Sequence, residues 1–127
     1  MSWSILVVDD EPMTRQLLKL MLKSSDFSVS EAKDGQDALD SIAEHIPDLI
    51  ILDVMMPGVD GLTVCRTLRG QSEMVDLPVI MLSAKTHPDA VQEGLEAGAT
   101  RYMFKPTSRK DLLAAIEELL PTAEELL

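Results

Sequence analysis

Three uninterrupted aliphatic runs organise the chain: Ile5-Leu6-Val7-Val8, Leu49-Ile50-Ile51-Leu52 and Val79-Ile80-Met81-Leu82. Each gives way abruptly to polar or turn residues, namely Asp9-Asp10-Glu11-Pro12, Asp53 with Pro57, Gly58, Asp60 and Gly61 beyond it, and Ser83-Ala84-Lys85. Short runs without alternation predict strands covered on both faces. Phe27 to Ala32 alternates with a period of two, and Arg101 to Phe104 is mixed in polarity, so both suit sheet edges. Helical stripes fill the intervals. Leu17, Leu18, Met21 and Leu22 mark the first helix, from Pro12 to about Lys23, and Ala38, Leu39 and Ile42 the second, from Gly35 toward Glu44. Leu62, Val64, Cys65 and Leu68 mark the third, Val91, Gly94 and Leu95 the fourth, and Leu112, Leu113, Ile116, Leu119 and Leu120 the fifth. A polar connector from Gly70 to Asp76 separates the third helix from the fourth strand.

Punctuation supports these limits. Pro12 suits the first position of a helix, and Ile46-Pro47 ends the second helix beside His45. Gly98 is placed for a left-handed C-cap, Ser108 to Asp111 has the form of a capping box, and Pro121 stops the last helix. Five strands alternating with five helices imply an α/β fold with a doubly wound parallel sheet. Residues 1–121 form that domain, and 122–127 read as a short tail or the start of a linker.

Composition narrows the function classes. At 127 residues, 46% hydrophobic and 26% charged, the chain fits one globular domain. No apolar run approaches the roughly 18 residues of a membrane span, and residues 1–15 lack a signal pattern, so a cytoplasmic protein without membrane partners is expected. Cys65 is the single cysteine, which leaves no intrachain disulfide and makes it a small helix residue. A net charge of −11 argues against direct nucleic-acid contact. Part of that charge, at Glu117, Glu118, Glu124 and Glu125, reads as a solvated face or tail.

In a parallel sheet all carboxyl ends open on one edge, where such folds bind ligands. Here those ends carry Asp9-Asp10, Asp53, Ser83-Ala84 and Lys105-Pro106. Singly, each has a plainer explanation: Asp9 and Asp10 as helix caps, Asp53 as a turn-former, Ser83 as a loop starter and Lys105 as a surface lysine. Jointly they do not. Carboxylates within about 4 Å of one another repel by several kcal/mol per pair at an effective dielectric near 20, which calls for a cation. Mg²⁺ suits an all-oxygen site that also receives phosphate, and Lys105 with the Ser83 hydroxyl would stabilise phosphoryl oxygens. The set predicts a phosphoryl-transfer pocket with a carboxylate nucleophile.

With these residues in place the chain resembles the receiver domain of two-component response regulators, chemotaxis regulators among them, over nearly its whole length. The resemblance rests on Ile5 to Glu11, Asp53 to Gly61, Ser83-Ala84, and Gly98-Ala99 through Tyr102 to Lys105-Pro106. It implies a flavodoxin-like (β/α)5 fold with strand order 2-1-3-4-5. It also implies Asp53 as phosphoacceptor, Asp10 binding Mg²⁺ directly and Asp9 through water, and the backbone carbonyl of Met55 as a further ligand. Ser83 and Tyr102 would form the switch pair, Lys105 would bind the phosphoryl group, and its bond to Pro106 would be cis. Met55 and Lys85 would flank the pocket and tune its rates. Thr107 departs from the apolar or acidic residue common after Lys-Pro, without disturbing the assignment.

Other classes fit less well. An aspartyl phosphatase wants a second Asp two residues after the nucleophile, where this chain has Met55. A flavin module wants a glycine- and hydroxyl-rich phosphate loop where this chain has Asp9-Asp10-Glu11. A degenerate receiver, serving as a phosphorylation-independent interaction or dimerisation module, would have lost Asp10, Asp53 or Lys105. The expectation is a phosphorylation-activated switch rather than an enzyme, one that assists its own phosphorylation and dephosphorylation. Its partners would be a sensor histidine kinase or histidine phosphotransfer protein and a downstream protein or output domain, the latter met through the fourth helix, fifth strand and fifth helix. Phosphorylation-dependent homodimerisation would be one use of that surface.

Overall fold

The protein is described by a computed structural model for residues 2–120. Five parallel strands, β1 (Trp3–Val8), β2 (Phe27–Ala32), β3 (Leu49–Leu52), β4 (Val79–Ser83) and β5 (Arg101–Phe104), form one sheet in the order β2-β1-β3-β4-β5. Helices α1 (Pro12–Met21), α2 (Gly35–Glu44), α3 (Gly61–Arg69), α4 (Pro88–Glu96) and α5 (Arg109–Leu119) connect and follow them. The doubly wound, flavodoxin-like arrangement is the one expected, with β2 and β5 at the edges.

Alternate side chains of the aliphatic runs point to opposite faces, which is why each run is apolar throughout. Leu6, Val8, Ile50, Leu52 and Met81 pack under α2 and α3 with Ile42, Val64, Cys65 and Leu68. Ile5, Val7, Leu49, Ile51 and Ile80 pack on the other face against Leu18 and Leu22 beside α1 and Leu112 and Ile116 of α5. Fully burying such a side chain contributes about 1.5–3 kcal/mol, so the central strands are the most firmly held part of the domain.

Helix ends follow local chemistry. The side chains of Asp34, Asp60 and Ser108 accept the N–H groups of Asp37, Thr63 and Asp111. Gly98 adopts φ 114°, the left-handed region expected of it. Pro121 and the 122–127 tail lie outside the described residues.

Three expectations need correction. The α1 stripe is narrower than its sequence suggests, since Leu18 is buried within the helix but Leu17 is 51% exposed, in line with Met13 at 83% and Leu20 at 58%. Glu11, and neither Asp9 nor Asp10, is the α1 N-cap, and its side chain makes no capping bond. The connector after α3 contains a 3-10 turn, Ser72–Met74, whose Met74 is buried. Arg69 holds that connector in place by donating from Nε to the Gly98 carbonyl at 2.9 Å and from Nη1 to the Met74 carbonyl at 2.8 Å.

Candidate functional site

The sheet order changes direction between β1 and β3, and their register pairs Val8 with Leu52, so the next residues, Asp9 and Asp53, emerge side by side. A hydrogen bond from Asp53 N–H to the Val8 carbonyl at 2.9 Å fixes the pair. Carboxylate oxygens of Asp9, Asp10 and Asp53 all lie within 4.8 Å of one another. Asp9 is 2% exposed and Asp53 7%, whereas Asp10 faces solvent.

Lys105 closes the cluster from the end of β5. Its N–H donates to the Ser83 carbonyl at 2.8 Å, and its Nζ lies 2.7 Å from Asp9 Oδ2 and 3.5 Å from Asp53 Oδ2. The bond from Lys105 to Pro106 is cis, as expected. Burial alone would lower the Lys105 ammonium, but the hydrogen bond to Asp9 and the charges of Asp53 and Asp9 raise it above the usual lysine value. Asp53 moves the other way from most ion-paired carboxylates. Burial raises its carboxyl above the ordinary range, Lys105 opposes this, and the neighbouring Asp9 adds to the rise. By formal charge, three carboxylates and one ammonium leave the cluster negative. Three oxygen donors carrying excess negative charge fit a hard divalent cation such as Mg²⁺, which accepts carboxylates and retains waters.

Ser83 ends β4, fully buried, and its Oγ accepts the Lys85 N–H at 3.1 Å. The Tyr102 hydroxyl donates to the Lys85 carbonyl at 2.9 Å, so Ser83 and Tyr102 both hold the backbone of one residue. The Tyr102 ring is half-buried against Gly94, where an added Cβ would come within 2.8 Å of it. Met55 and Lys85 are exposed and both line a cleft of about 500 Å³ that also takes in Met56, Leu62 and Glu93. The Met55 N–H lies 3.4 Å from Asp53 Oδ1, a long hydrogen bond.

The strand-end reasoning missed two residues beside the site. Arg15 of α1 donates from Nη1 to the Asp9 carbonyl and from Nε to Glu31, each at 2.7 Å. The signal available was position: Arg15 lies in the first turn of a helix that begins at the sheet's carboxyl edge, and Glu31 lies near the end of β2.

A doubly wound sheet with clustered acidic residues and a lysine at its switch point defines a class, and the chain belongs to the response regulator receiver domain family, whose pattern spans residues 5–117. Such domains serve the phosphorylation-based signalling of two-component systems. The chain is 47% identical over 120 residues to response regulator MprA of Mycobacterium tuberculosis, a match covering 94% of this chain and 51% of MprA. It is 41% identical over 121 residues to the DNA-binding response regulator MtrA of Mycolicibacterium smegmatis, covering 95% of this chain and 52% of MtrA. It thus spans about half the length of these curated relatives. Among solved structures, the chemotaxis protein CheY4 of Vibrio cholerae superposes with a TM-score of 0.88 at 33% identity, covering 94% of this chain and 100% of CheY4. No helix among the described residues is long and apolar enough to cross a membrane.

Proposed function

We propose that the domain is a cytoplasmic switch that accepts a phosphoryl group on Asp53 from a phosphohistidine protein, either a sensor histidine kinase or a phosphotransfer protein. The observation that carries the proposal is the meeting of Asp9, Asp10 and Asp53 within 4.8 Å, with Lys105 Nζ at 2.7 and 3.5 Å from Asp9 and Asp53. Mg²⁺ would be held by these three carboxylates and the backbone carbonyl of Met55, and when bound it supplies charge neutralisation for the incoming phosphoryl oxygens.

The rest is work for the chain's own groups. A carboxylate oxygen of Asp53 attacks phosphorus, the bond from phosphorus to the donor nitrogen breaks, and imidazole leaves with that electron pair. Lys105, charged and close to both partners, takes up phosphoryl oxygen charge as it develops. Ser83 retains its O–H for donation to the phosphoryl group. Its Oγ also accepts the N–H of the residue whose carbonyl holds Tyr102, so a turn of Ser83 toward phosphate disturbs the Tyr102 anchorage. That couples chemistry at Asp53 to the α4–β5–α5 surface, where Leu95 and Phe104 are exposed and Phe104 packs edge-on against Tyr102 at 5.9 Å. This surface meets the downstream protein or output domain, and phosphorylation-dependent pairing of two copies is one use of it. Met13, Leu17 and Leu20 form an exposed apolar stripe on the helix that starts beside Asp10, suited to docking the donor's helices.

The test is incubation with acetyl phosphate and Mg²⁺, followed by intact-mass analysis. One phosphoryl adduct, absent in Asp53→Ala and absent without Mg²⁺, supports the proposal. No adduct on a folded, Mg²⁺-binding protein would leave the degenerate, phosphorylation-independent reading instead.

A further inference from the structure

The Asp9 carbonyl belongs to the peptide that joins Asp9 to Asp10. A change in Asp9 ψ that is not compensated at Asp10 φ moves this carbonyl and swings the Asp10 carboxylate relative to that of Asp9, so a group that holds the carbonyl restrains their relative geometry. Arg15 holds it, with Nη1 at 2.7 Å, and is itself held by Glu31, which receives Nε at 2.7 Å. Glu31 in turn accepts Lys19 Nζ at 2.8 Å, and its carboxyl lies below the usual range because of the hydrogen bonds from Lys19 and Arg15, against a small opposing effect of burial. The other polar atoms of Asp9 are fixed as well: its N–H donates to Ala32, Oδ1 accepts from Glu11 N–H, and Oδ2 accepts from Lys105. Arg15 is thus the clamp on the one Asp9 atom that also steers Asp10.

We infer that Arg15, oriented by Glu31, is a positioning residue that sets the Asp9 and Asp10 carboxylates for a divalent cation. The inference rests on the acidic site being a Mg²⁺ site, as proposed above. Its effect has a sign that simple electrostatics does not share. Arg15 brings a positive charge to the Asp9 backbone beside the cluster, so its removal by charge alone would strengthen cation binding. Removal of a positioning contact weakens it, and loss of partners behind metal ligands typically costs about 10–100-fold in affinity.

The experiment is calorimetric titration of Mg²⁺ into the parent, Arg15→Ala, Arg15→Lys and Glu31→Gln, well below each protein's melting temperature. Arg15→Ala is expected to bind about tenfold more weakly. Arg15→Lys, which keeps the charge but cannot span both acceptors, should fall between, and it replaces the alanine variant if that variant does not fold. Glu31→Gln should weaken binding in the Arg15 protein and add nothing in the Arg15→Ala background, because it acts through Arg15. Arg15→Ala or Arg15→Lys binding Mg²⁺ as tightly as the parent, or more tightly, overturns the inference and leaves the Mg²⁺ site standing. A parent that does not bind Mg²⁺ overturns both.

Discussion

Replacing Asp53 by Asn should make the metal-free protein more stable, although it removes one partner of an ion pair. At an effective dielectric near 20, carboxylates up to 4.8 Å apart repel by about 3.5 kcal/mol, whereas Lys105 at 3.5 Å attracts Asp53 by about 4.7 kcal/mol. The Lys105 attraction outweighs the Asp9 repulsion, so what neutralising Asp53 relieves is mainly the cost of burying its charge, on the order of 2 kcal/mol net of that attraction. The raised Asp53 carboxyl agrees in direction. For a domain of 127 residues this is an increase of about 7 °C in Tm. The assay is thermal melting of parent and Asp53→Asn in EDTA, then across a Mg²⁺ series. Mg²⁺ stabilises whichever protein it binds by RT ln(1 + [L]/Kd), roughly 1.4 kcal/mol at ten times Kd and more beyond, so the parent should overtake the variant as Mg²⁺ rises. The pH dependence has a definite sign. A folded-state carboxyl raised above its unfolded value contributes stability below the unfolded pKa and loses it as pH rises through the folded one, so the variant's advantage should appear above that range and vanish in acid. An Asn variant that melts at or below the parent in EDTA at neutral pH would refute the picture of a carboxylate whose burial Lys105 only partly offsets.

Two further outcomes follow from local geometry. Gly94→Ala would put a Cβ 2.8 Å from the Tyr102 ring and 2.9 Å from Met81 Sδ, so it should lower stability by about 1–3 kcal/mol in urea titrations and displace Tyr102 from the Lys85 carbonyl, visible as a change in tyrosine absorbance. Met55 and Lys85 line one cleft, which begins at the residue after Asp53, and cannot take a proton from water, so the phosphoryl group should decay slowly; combining Met55→Asn with Lys85→Glu should speed its loss in excess Mg²⁺, and an unchanged rate would show that these positions do not gate water.

How much was legible depended on whether a residue's role could be read from its own neighbours in sequence. β2, β3 and β5 match their expected limits because buried strands need continuous apolar runs and edge strands do not. The acidic set was legible for the same reason: strand ends locate themselves, and parallel order gathers them on one edge. Leu17 misled because helical periodicity gives a stripe but not its width, and α1 leaves one apolar row uncovered. The 3-10 turn was hidden because Arg69 stabilises it by bridging the Met74 carbonyl to the distant Gly98 carbonyl. Arg15 and Glu31 escaped for that reason too, as charges on a helix and an edge strand look like ordinary surface until the fold brings them to the Asp9 carbonyl. Tyr102 and Lys85 entered only through family resemblance, and their shared backbone contact is visible only in three dimensions.

The proposed function stands or falls on Asp53 itself carrying the phosphoryl group. The most direct measurement is to phosphorylate the protein with acetyl phosphate and Mg²⁺, reduce the acyl phosphate with borohydride, and map the altered residue by peptide mass spectrometry. Reduction converts a phosphorylated aspartate to homoserine, so homoserine is expected at position 53 and unmodified aspartate at positions 9 and 10. Homoserine at Asp9 or Asp10, or a phosphoryl adduct that survives with Asp53 intact, would contradict it.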